Sequence, residues 1–142
     1  MRVHDVLRRK GADVVTVPPE TTVRELLDIL AEHRIGAVVV STDGRAVDGI
    51  VSERDVVLHL HDRGAEVLDA RVDDIMTSDV STVGPDEHLE HLMGLMTVNR
   101  FRHIPVVTDG ALAGIISIGD VVKHRMDELQ AERDQLVGYI NR

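Results

Sequence analysis

Cysteine is absent from this chain of 142 residues, and aromatic residues make up only 1% of it. Without thiols the chain can form no disulfide bond, no thiolate metal site and no cysteine nucleophile. Hydrophobic residues nevertheless make up 43% of the sequence, so Val, Ile, Leu, Ala and Met must fill the core. A core of such side chains suits tight packing of helices on a sheet.

An excess of positive charge and long apolar runs are also missing. The 25 acidic residues outnumber the 16 basic ones, which gives a formal net charge of -9. Such a charge repels phosphate backbones, so we expect no binding of bulk nucleic acid. The apolar runs, such as Ala37–Val40, are far too short to cross a bilayer. The basic N-terminus lacks the apolar stretch of a signal peptide, so we expect a cytoplasmic protein without membrane contact.

The sequence contains an internal duplication. Residues Thr16–Gly44 align with Thr82–Gly110, and Gly49–His59 align with Gly114–His124, with 16 identical residues in 40 positions. Chance would give about 3 identities at ordinary residue frequencies. The duplication predicts two copies of one structural unit.

Each copy shows the same order of predicted elements. A short strand, Val14–Val17 or Val80–Val83, precedes a helix whose apolar residues recur at helical spacing. β-Branched residues then predict strands at Ala37–Val40 and Ile104–Val107. The Asp-Gly pairs that follow predict hairpin turns, and each returning strand leads into a helix near the next serine. Each copy is therefore β-α-β-β-α, and the predicted fold class is α/β.

The last helix continues beyond the duplication, to about Ile140. Its apolar positions form one stripe that is interrupted by charged residues. They are Met126, Leu129, Leu136, Val137 and Ile140. Since such a stripe needs a partner, we expect it to cover the domain or a second subunit.

These patterns divide the chain into four parts. We predict a first repeat over residues 5–62, a linker over 63–73 and a second repeat over 74–127, followed by a helical extension over 128–142. One copy of about 50 residues is too small to cover its own sheet. Two copies packed together solve this problem and leave clefts at their joint.

The duplicated motifs resemble those of a known family. The Thr-Val-x-Pro strands at Thr16 and Thr82 and the Gly-h-h-Ser-x-x-Asp junctions at Gly49 and Gly114, where h is apolar, are similar to the CBS domain. Two such domains in tandem resemble a Bateman module, and the nearest likeness is to stand-alone bacterial CBS-pair proteins. The resemblance implies two repeats packed with pseudo-twofold symmetry.

The junctions themselves allow two interpretations. Ser52 with Asp55, and Ser117 with Asp120, fit a capping box in which each side chain bonds the backbone of the helix start. This arrangement needs no ligand. Alternatively, the helix N-terminus attracts an anion and the carboxylate grips the paired hydroxyls of a ribose.

The resemblance further implies two crossed sites between the repeats. In each site the serine and aspartate of one repeat face the first strand and the helix-to-strand turn of the other. The first site would comprise Ile115, Ser117 and Asp120 with Thr16, Ile35, Gly36, Ala37 and Val38. The second would comprise Ile50, Ser52, Arg54 and Asp55 with Thr82, Phe101, Arg102, His103 and Ile104. An adenine would lie on apolar side chains in each.

The two implied sites differ in charge. Arg102 and His103 stand where the first site has Gly36 and Ala37, and by the resemblance these are positions of phosphate-contacting basic residues. A guanidinium binds phosphate in a bidentate manner, and histidine can add charge near neutral pH. The alternative is that the arginines are solvated surface charges. The first site lacks a phosphate anchor of its own and could borrow charge from another chain.

The sequence therefore favours a regulatory module that binds an adenine nucleotide. AMP is the first choice, followed by NAD(H), ADP and ATP, and no metal is expected. His88 and His91 have metal-ligand spacing but lie among acids on a predicted helix, without a third ligand. We also expect a homodimer and an unidentified regulated protein. A ligand-free dimerisation module is the alternative, and an enzyme is not expected because no catalytic nucleophile is evident.

Overall fold

The computed structural model describes residues 1–142 and contains five α-helices and five strands. The helices are α1 (Val3–Lys10), α2 (Val23–His33), α3 (Glu53–Arg63), α4 (Leu89–Asn99) and α5 (Ile118–Ile140). The strands are β1 (Thr16–Val17), β2 (Ala37–Val40), β3 (Gly49–Ser52), β4 (His103–Thr108) and β5 (Ala111–Ser117). Two short 3-10 helices, Gly64–Asp69 and Val72–Asp74, connect the halves. The predicted α/β fold class is confirmed.

The first half is built on the three-stranded sheet β1-β2-β3. Strand β2 runs parallel to β1 and antiparallel to β3. Helix α2 begins where the Thr22 hydroxyl accepts a hydrogen bond from the Glu25 N–H at 3.1 Å, and it buries Val23, Leu26 and Leu30. It ends at Arg34, which adopts a left-handed conformation with φ 53°. This spacing places the apolar face of α2 on the sheet.

The second half repeats this plan with a smaller sheet. Strands β4 and β5 form an antiparallel hairpin whose turn residues Asp109 and Gly110 both have positive φ, as an Asp-Gly hairpin turn requires. In place of the predicted strand Val80–Val83, a single bridge joins Val83 to Val106. The predicted strand is wrong because Thr77 still pairs with Ile50 of the first half. The chain between Thr77 and Val83 must therefore cross from one half to the other.

The segment before each half packs on the opposite half. Helix α1 places Val3 and Val6 in the second core, beside β4, β5 and α4. Conversely, Val72 and Ile75, which precede the second half, lie in the first core. We call residues 1–10 and 70–77 the leading segments. The hydrophobic core of each half is therefore completed by the leading segment that precedes the other half.

The two leading segments make equivalent contacts. The Leu89 N–H donates to the Met1 carbonyl at 3.0 Å, just as the Val23 N–H donates to the Ala70 carbonyl at 2.9 Å. Residues 2–7 and 71–76 share the pattern Arg-Val-x-Asp followed by two apolar residues. This pattern indicates that the duplicated unit includes the leading segments.

Helix α5 is buried only near its start. Val121 and His124 lie in the interior, whereas the residues from Met126 onward expose much of their apolar surface. None of the helices is both long enough and apolar enough to cross a membrane.

Candidate functional site

A cavity of about 780 Å³ lies between the two halves. It is bordered by the start of α3 and by the turn between α4 and β4, and the chain that crosses between the halves closes one side. Its lining residues are Gly36, Ala37, Ile50, Ser52, Glu53, Arg54, Asp55, Val57, Leu58, Thr77, Asp79, Val80, Ser81, Asn99, Arg100, Phe101, Arg102 and His103. This volume falls within the usual range for small-molecule sites. We call it the Asp55 cavity.

The start of α3 presents a capped helix end to the Asp55 cavity. The Asp55 carboxylate accepts hydrogen bonds from the Ser52 N–H at 2.8 Å and the Ser52 hydroxyl at 3.1 Å. The Ser52 hydroxyl in turn accepts from the Asp55 N–H at 3.3 Å. The capping-box interpretation is therefore confirmed. It does not exclude a ligand, because a carboxylate has further lone pairs.

Three arginines line the Asp55 cavity: Arg54, Arg100 and Arg102. Arg54 lies in the first turn of α3, and Arg100 ends α4 in a left-handed conformation with φ 57°. The Arg102 carbonyl accepts a hydrogen bond from the Ile118 N–H at 2.8 Å, which fixes this turn to the start of α5. The cavity is therefore lined by arginines from both halves as well as by Asp55.

His103 lies where the two halves meet at the cavity wall. A methyl group built on Gly36 would lie 3.4 Å from the His103 Cε1, so the ring packs closely against the backbone of the other half. Burial lowers the pKa of His103 below its usual value, and the Lys10 ammonium lowers it further. The lowered pKa favours the neutral imidazole in the ligand-free protein and so works against the charge near neutral pH that the sequence indicates for His103.

The second copy of the junction, at the start of α5, is also a capping box. The Asp120 carboxylate accepts from the Ser117 N–H at 2.9 Å, and the Ser117 hydroxyl accepts from the Asp120 N–H at 3.2 Å. Unlike Asp55, Asp120 is also bonded to Lys10, at the end of α1, with 2.5 Å between Nζ and Oδ2. The same ammonium donates to the Ile115 carbonyl at 2.7 Å. We call the surroundings of Asp120 the Asp120 cleft.

The contact with Lys10 lowers the pKa of Asp120. Burial by itself would raise the pKa of the carboxyl group, but hydrogen bonds from Lys10 and the Ser117 N–H outweigh it. The pKa of Asp120 consequently lies below its usual value. The carboxylate is therefore ionised at neutral pH and paired with an ammonium from its own chain.

The structure brings many of the predicted site residues together. Those that line the Asp55 cavity are Gly36, Ala37, Ile50, Ser52, Arg54, Asp55, Phe101, Arg102 and His103. Gly36 and Ala37 had been assigned to the other site. Thr82 is exposed and outside the cavity lining, and Ile104 is fully buried in the second core.

The remaining residues of the first predicted site lie apart from the Asp55 cavity. Val38 is fully buried in the first core, whereas Thr16, Ile35, Ile115, Ser117 and Asp120 are partly buried. Of these, Ile115 and Asp120 share the contact with Lys10.

Sequence reasoning missed Lys10, Arg100 and Asp79. Arg100 could have been found, because it follows a predicted helix and is adjacent to the turn already assigned to the site. Lys10 gave no such indication, since it is 110 residues from Asp120 and its contact depends on how α1 packs. Asp79 lies on the crossing chain, one residue before the strand predicted at Val80–Val83.

Comparisons with known proteins agree with this architecture. The sequence matches the CBS domain over residues 3–62 and again over residues 72–127. A CBS-domain-containing protein of Agrobacterium tumefaciens is 48% identical, with a TM-score of 0.85 over 88% of this chain and 99% of that one. The mitochondrial CBS domain-containing protein CBSX3 of Arabidopsis thaliana is 35% identical over 97% of this chain and 71% of its own length.

One similar structure contains a nucleotide. A CBS domain protein of Pyrobaculum aerophilum, solved in complex with AMP, is 29% identical, with a TM-score of 0.75 over 84% of this chain and 89% of that one. The resemblance inferred from the duplicated junctions is therefore confirmed.

Proposed function

Because this chain belongs to the CBS-domain family, we propose that it is a regulatory module that binds AMP in the Asp55 cavity. The observation that carries this proposal is a cavity of about 780 Å³ with Asp55 on one wall and three arginines around it. The AMP complex of the related Pyrobaculum aerophilum protein supports the choice of nucleotide. NAD(H), ADP and ATP are the next candidates.

The lining divides into three parts that suit the three parts of AMP. The Asp55 carboxylate has free lone pairs for the two ribose hydroxyls, since its own hydrogen bonds are with Ser52. Guanidinium groups bind phosphate in a bidentate manner, which suits Arg100 and Arg102. Ile50, Val80 and Phe101 offer apolar surface to the adenine.

The proposal also accounts for the choice of a monophosphate. The three arginines share the cavity with three carboxylates, those of Glu53, Asp55 and Asp79. These six charges cancel, and the lowered pKa of His103 favours a lining without net charge. Each further phosphate would bring added negative charge close to Glu53 and Asp79, so AMP should bind more tightly than ATP.

Isothermal titration of the purified protein with AMP tests the proposal. We expect one AMP per chain in the Asp55 cavity. Asp55→Asn should weaken its binding at least tenfold, equivalent to about 1.4 kcal/mol, because the neutral amide grips the hydroxyls less strongly. Asn is close in size to Asp and can still accept the Ser52 N–H, so the helix cap is largely retained.

Asp69→Asn is the matched control, because Asp69 is an exposed carboxylate far from the cavity lining. It should bind AMP like the original protein. If folded protein, free of nucleotide, shows no binding to AMP or to the other adenine nucleotides, the dimerisation module becomes the better description. Equal affinity of the Asp55→Asn variant would contradict the proposed site.

We further propose that the protein forms a homodimer through α5. The exposed apolar residues Val122, Met126 and Leu129 lie on one face of this helix, and each exposes about half of its surface or more. A contiguous apolar face of this kind marks a protein contact. Nucleotide binding between the halves would then alter a surface that a regulated protein reads.

A further inference from the structure

The end of α1 reaches into the Asp120 cleft and occupies it. The Lys10 ammonium bonds both the Asp120 carboxylate and the Ile115 carbonyl, at 2.5 and 2.7 Å. Only 27% of the Lys10 side chain and 22% of the Asp120 side chain remain exposed. The ammonium therefore sits on the carboxylate that a ribose would need there.

No cation is bonded to Asp55, although three arginines line the Asp55 cavity. The leading segments place Leu7 against Gly114 and Met76 against Gly49 as equivalent contacts. Three residues beyond Leu7 the chain has Lys10, whereas three residues beyond Met76 it has Asp79. Asp79 lines the cavity and cannot pair with a carboxylate. The two otherwise equivalent junctions are thus distinguished by opposite charges on the leading segments.

We infer that Lys10 acts as a tethered internal ligand of the Asp120 cleft and limits the chain to one bound nucleotide. This inference rests on the proposed nucleotide binding at such junctions. A nucleotide that enters the Asp120 cleft must displace an ammonium already held by two hydrogen bonds. The Asp55 carboxylate, bonded only within its own cap, is available without any displacement.

The same contact makes the Asp120 cleft depend on helix α1. Lys10 is the last residue of α1, and this helix is anchored by Val3 and Val6 in the second core. The ammonium is therefore held close to Asp120 at a high effective concentration. A nucleotide free in solution must compete with this high local concentration of ammonium. The Asp120 cleft therefore stays occupied by Lys10 at nucleotide concentrations that fill the Asp55 cavity.

Lys10→Met tests the inference, because it removes the ammonium and keeps an unbranched side chain of similar length. The variant is made in the Asp55→Asn background, which weakens the Asp55 cavity, and titrated with AMP. We expect Asp55→Asn alone to bind AMP weakly. Adding Lys10→Met should create one new site with at least tenfold higher affinity, and adding Asp120→Asn should abolish it.

Arg9→Met is the matched control, since Arg9 is an exposed basic residue beside Lys10. In the Asp55→Asn background it should create no site. The absence of a new site in the Lys10→Met variant would overturn the inference, whatever the original protein binds. If Asp55→Asn alone still binds one AMP with unchanged affinity, this result would instead contradict the proposed function. The two failures are therefore distinguishable.

Discussion

Single residues decide what two nearly identical helix starts can do. Ser52 with Asp55 and Ser117 with Asp120 form the same capping box, with corresponding hydrogen bonds that differ by no more than 0.1 Å in length. The first carboxylate borders an open cavity, and the second is paired with Lys10. The chemistry of each junction is therefore set by its neighbours and not by the repeated motif.

His103 should make the protein sensitive to mild acid. Because its pKa in the folded protein lies below the usual 6.5, the unfolded chain binds more protons as the pH falls below about 6.5. The free energy of unfolding therefore falls with pH until the folded protein is protonated as well. His103→Gln should reduce the decrease in the free energy of unfolding between pH 7.5 and pH 5, and the effect should be small because solvent screens a half-buried group.

Urea denaturation at several pH values measures this effect. His33→Gln, at the exposed end of α2, is the control and should leave the pH profile unchanged. Identical pH profiles for His103→Gln and the original protein would contradict the prediction.

At the residue scale, the sequence allowed individual residues to be predicted where a motif is repeated. The repeated Ser-x-x-Asp spacing identified both caps, and the resemblance to the CBS domain implied Phe101, Arg102 and His103 as site residues, all of which line the Asp55 cavity. Lys10 could not be predicted, because its contact depends on the tertiary position of α1. The lowered pKa of His103 could not be predicted either, since burial is a property of the folded protein.

At the scale of elements, the leading segments require close packing against two glycines. A methyl group on Gly114 would lie 2.6 Å from the Leu7 Cδ2. A methyl group on Gly49 would collide with the Met76 side chain and also lie 3.0 Å from the Thr77 carbonyl oxygen. Both strand positions are glycine because a leading segment occupies the space that a side chain would need, through Leu7 at Gly114 and Met76 at Gly49.

Gly49→Ala should therefore destabilise the protein more than Gly114→Ala does. At Gly49 the obstacle includes the backbone of Thr77, which is paired with Ile50, whereas at Gly114 only the end of a flexible leucine must move. We expect Gly49→Ala to lower the free energy of unfolding by about 1–3 kcal/mol, the usual cost of overpacking, and Gly114→Ala to lower it by less.

Chemical denaturation of the two single variants measures the difference. A double-mutant cycle with Met76→Ala should show favourable coupling to Gly49→Ala, because the smaller side chain makes room for the methyl group. Equal decreases in the free energy of unfolding for Gly49→Ala and Gly114→Ala would argue against the backbone contact as the cause.

Periodicity predicted the helices and most strands, but not how the halves connect. The spacing of Val23, Leu26 and Leu30 correctly indicated the buried face of α2. The strand expected at Val80–Val83, as the counterpart of Val14–Val17, is reduced to the bridge at Val83. The repeat does not show that residue 77 is still held in the other half.

At the scale of the whole molecule, α5 leaves an apolar face without a partner in the chain. Leu129→Glu places a charge in the middle of this face, where Met126 and Leu129 are exposed. If α5 forms the dimer contact, the variant should be monomeric, with a mass near 15.7 kDa, whereas the original protein has twice that mass. Sedimentation equilibrium measures both.

Gln135→Glu adds the same charge to the same helix on the opposite face, so this control should remain dimeric. A monomeric original protein would contradict the proposed dimer. A dimer unaffected by Leu129→Glu would move the contact to another surface.

The exchange of leading segments also sets an order for biosynthesis. Residues 3–10 leave the ribosome before either half, yet Val3 and Val6 are buried only against strands and helices between Val83 and Val121. The first half needs only Val72 and Ile75 to complete its core, so it can close while the rest is still being made. Helix α1 must wait until the second half has emerged. Residues 3–10 are thus made before either half but pack only after the first half can close, and with them Lys10 reaches Asp120 only once the second half is in place.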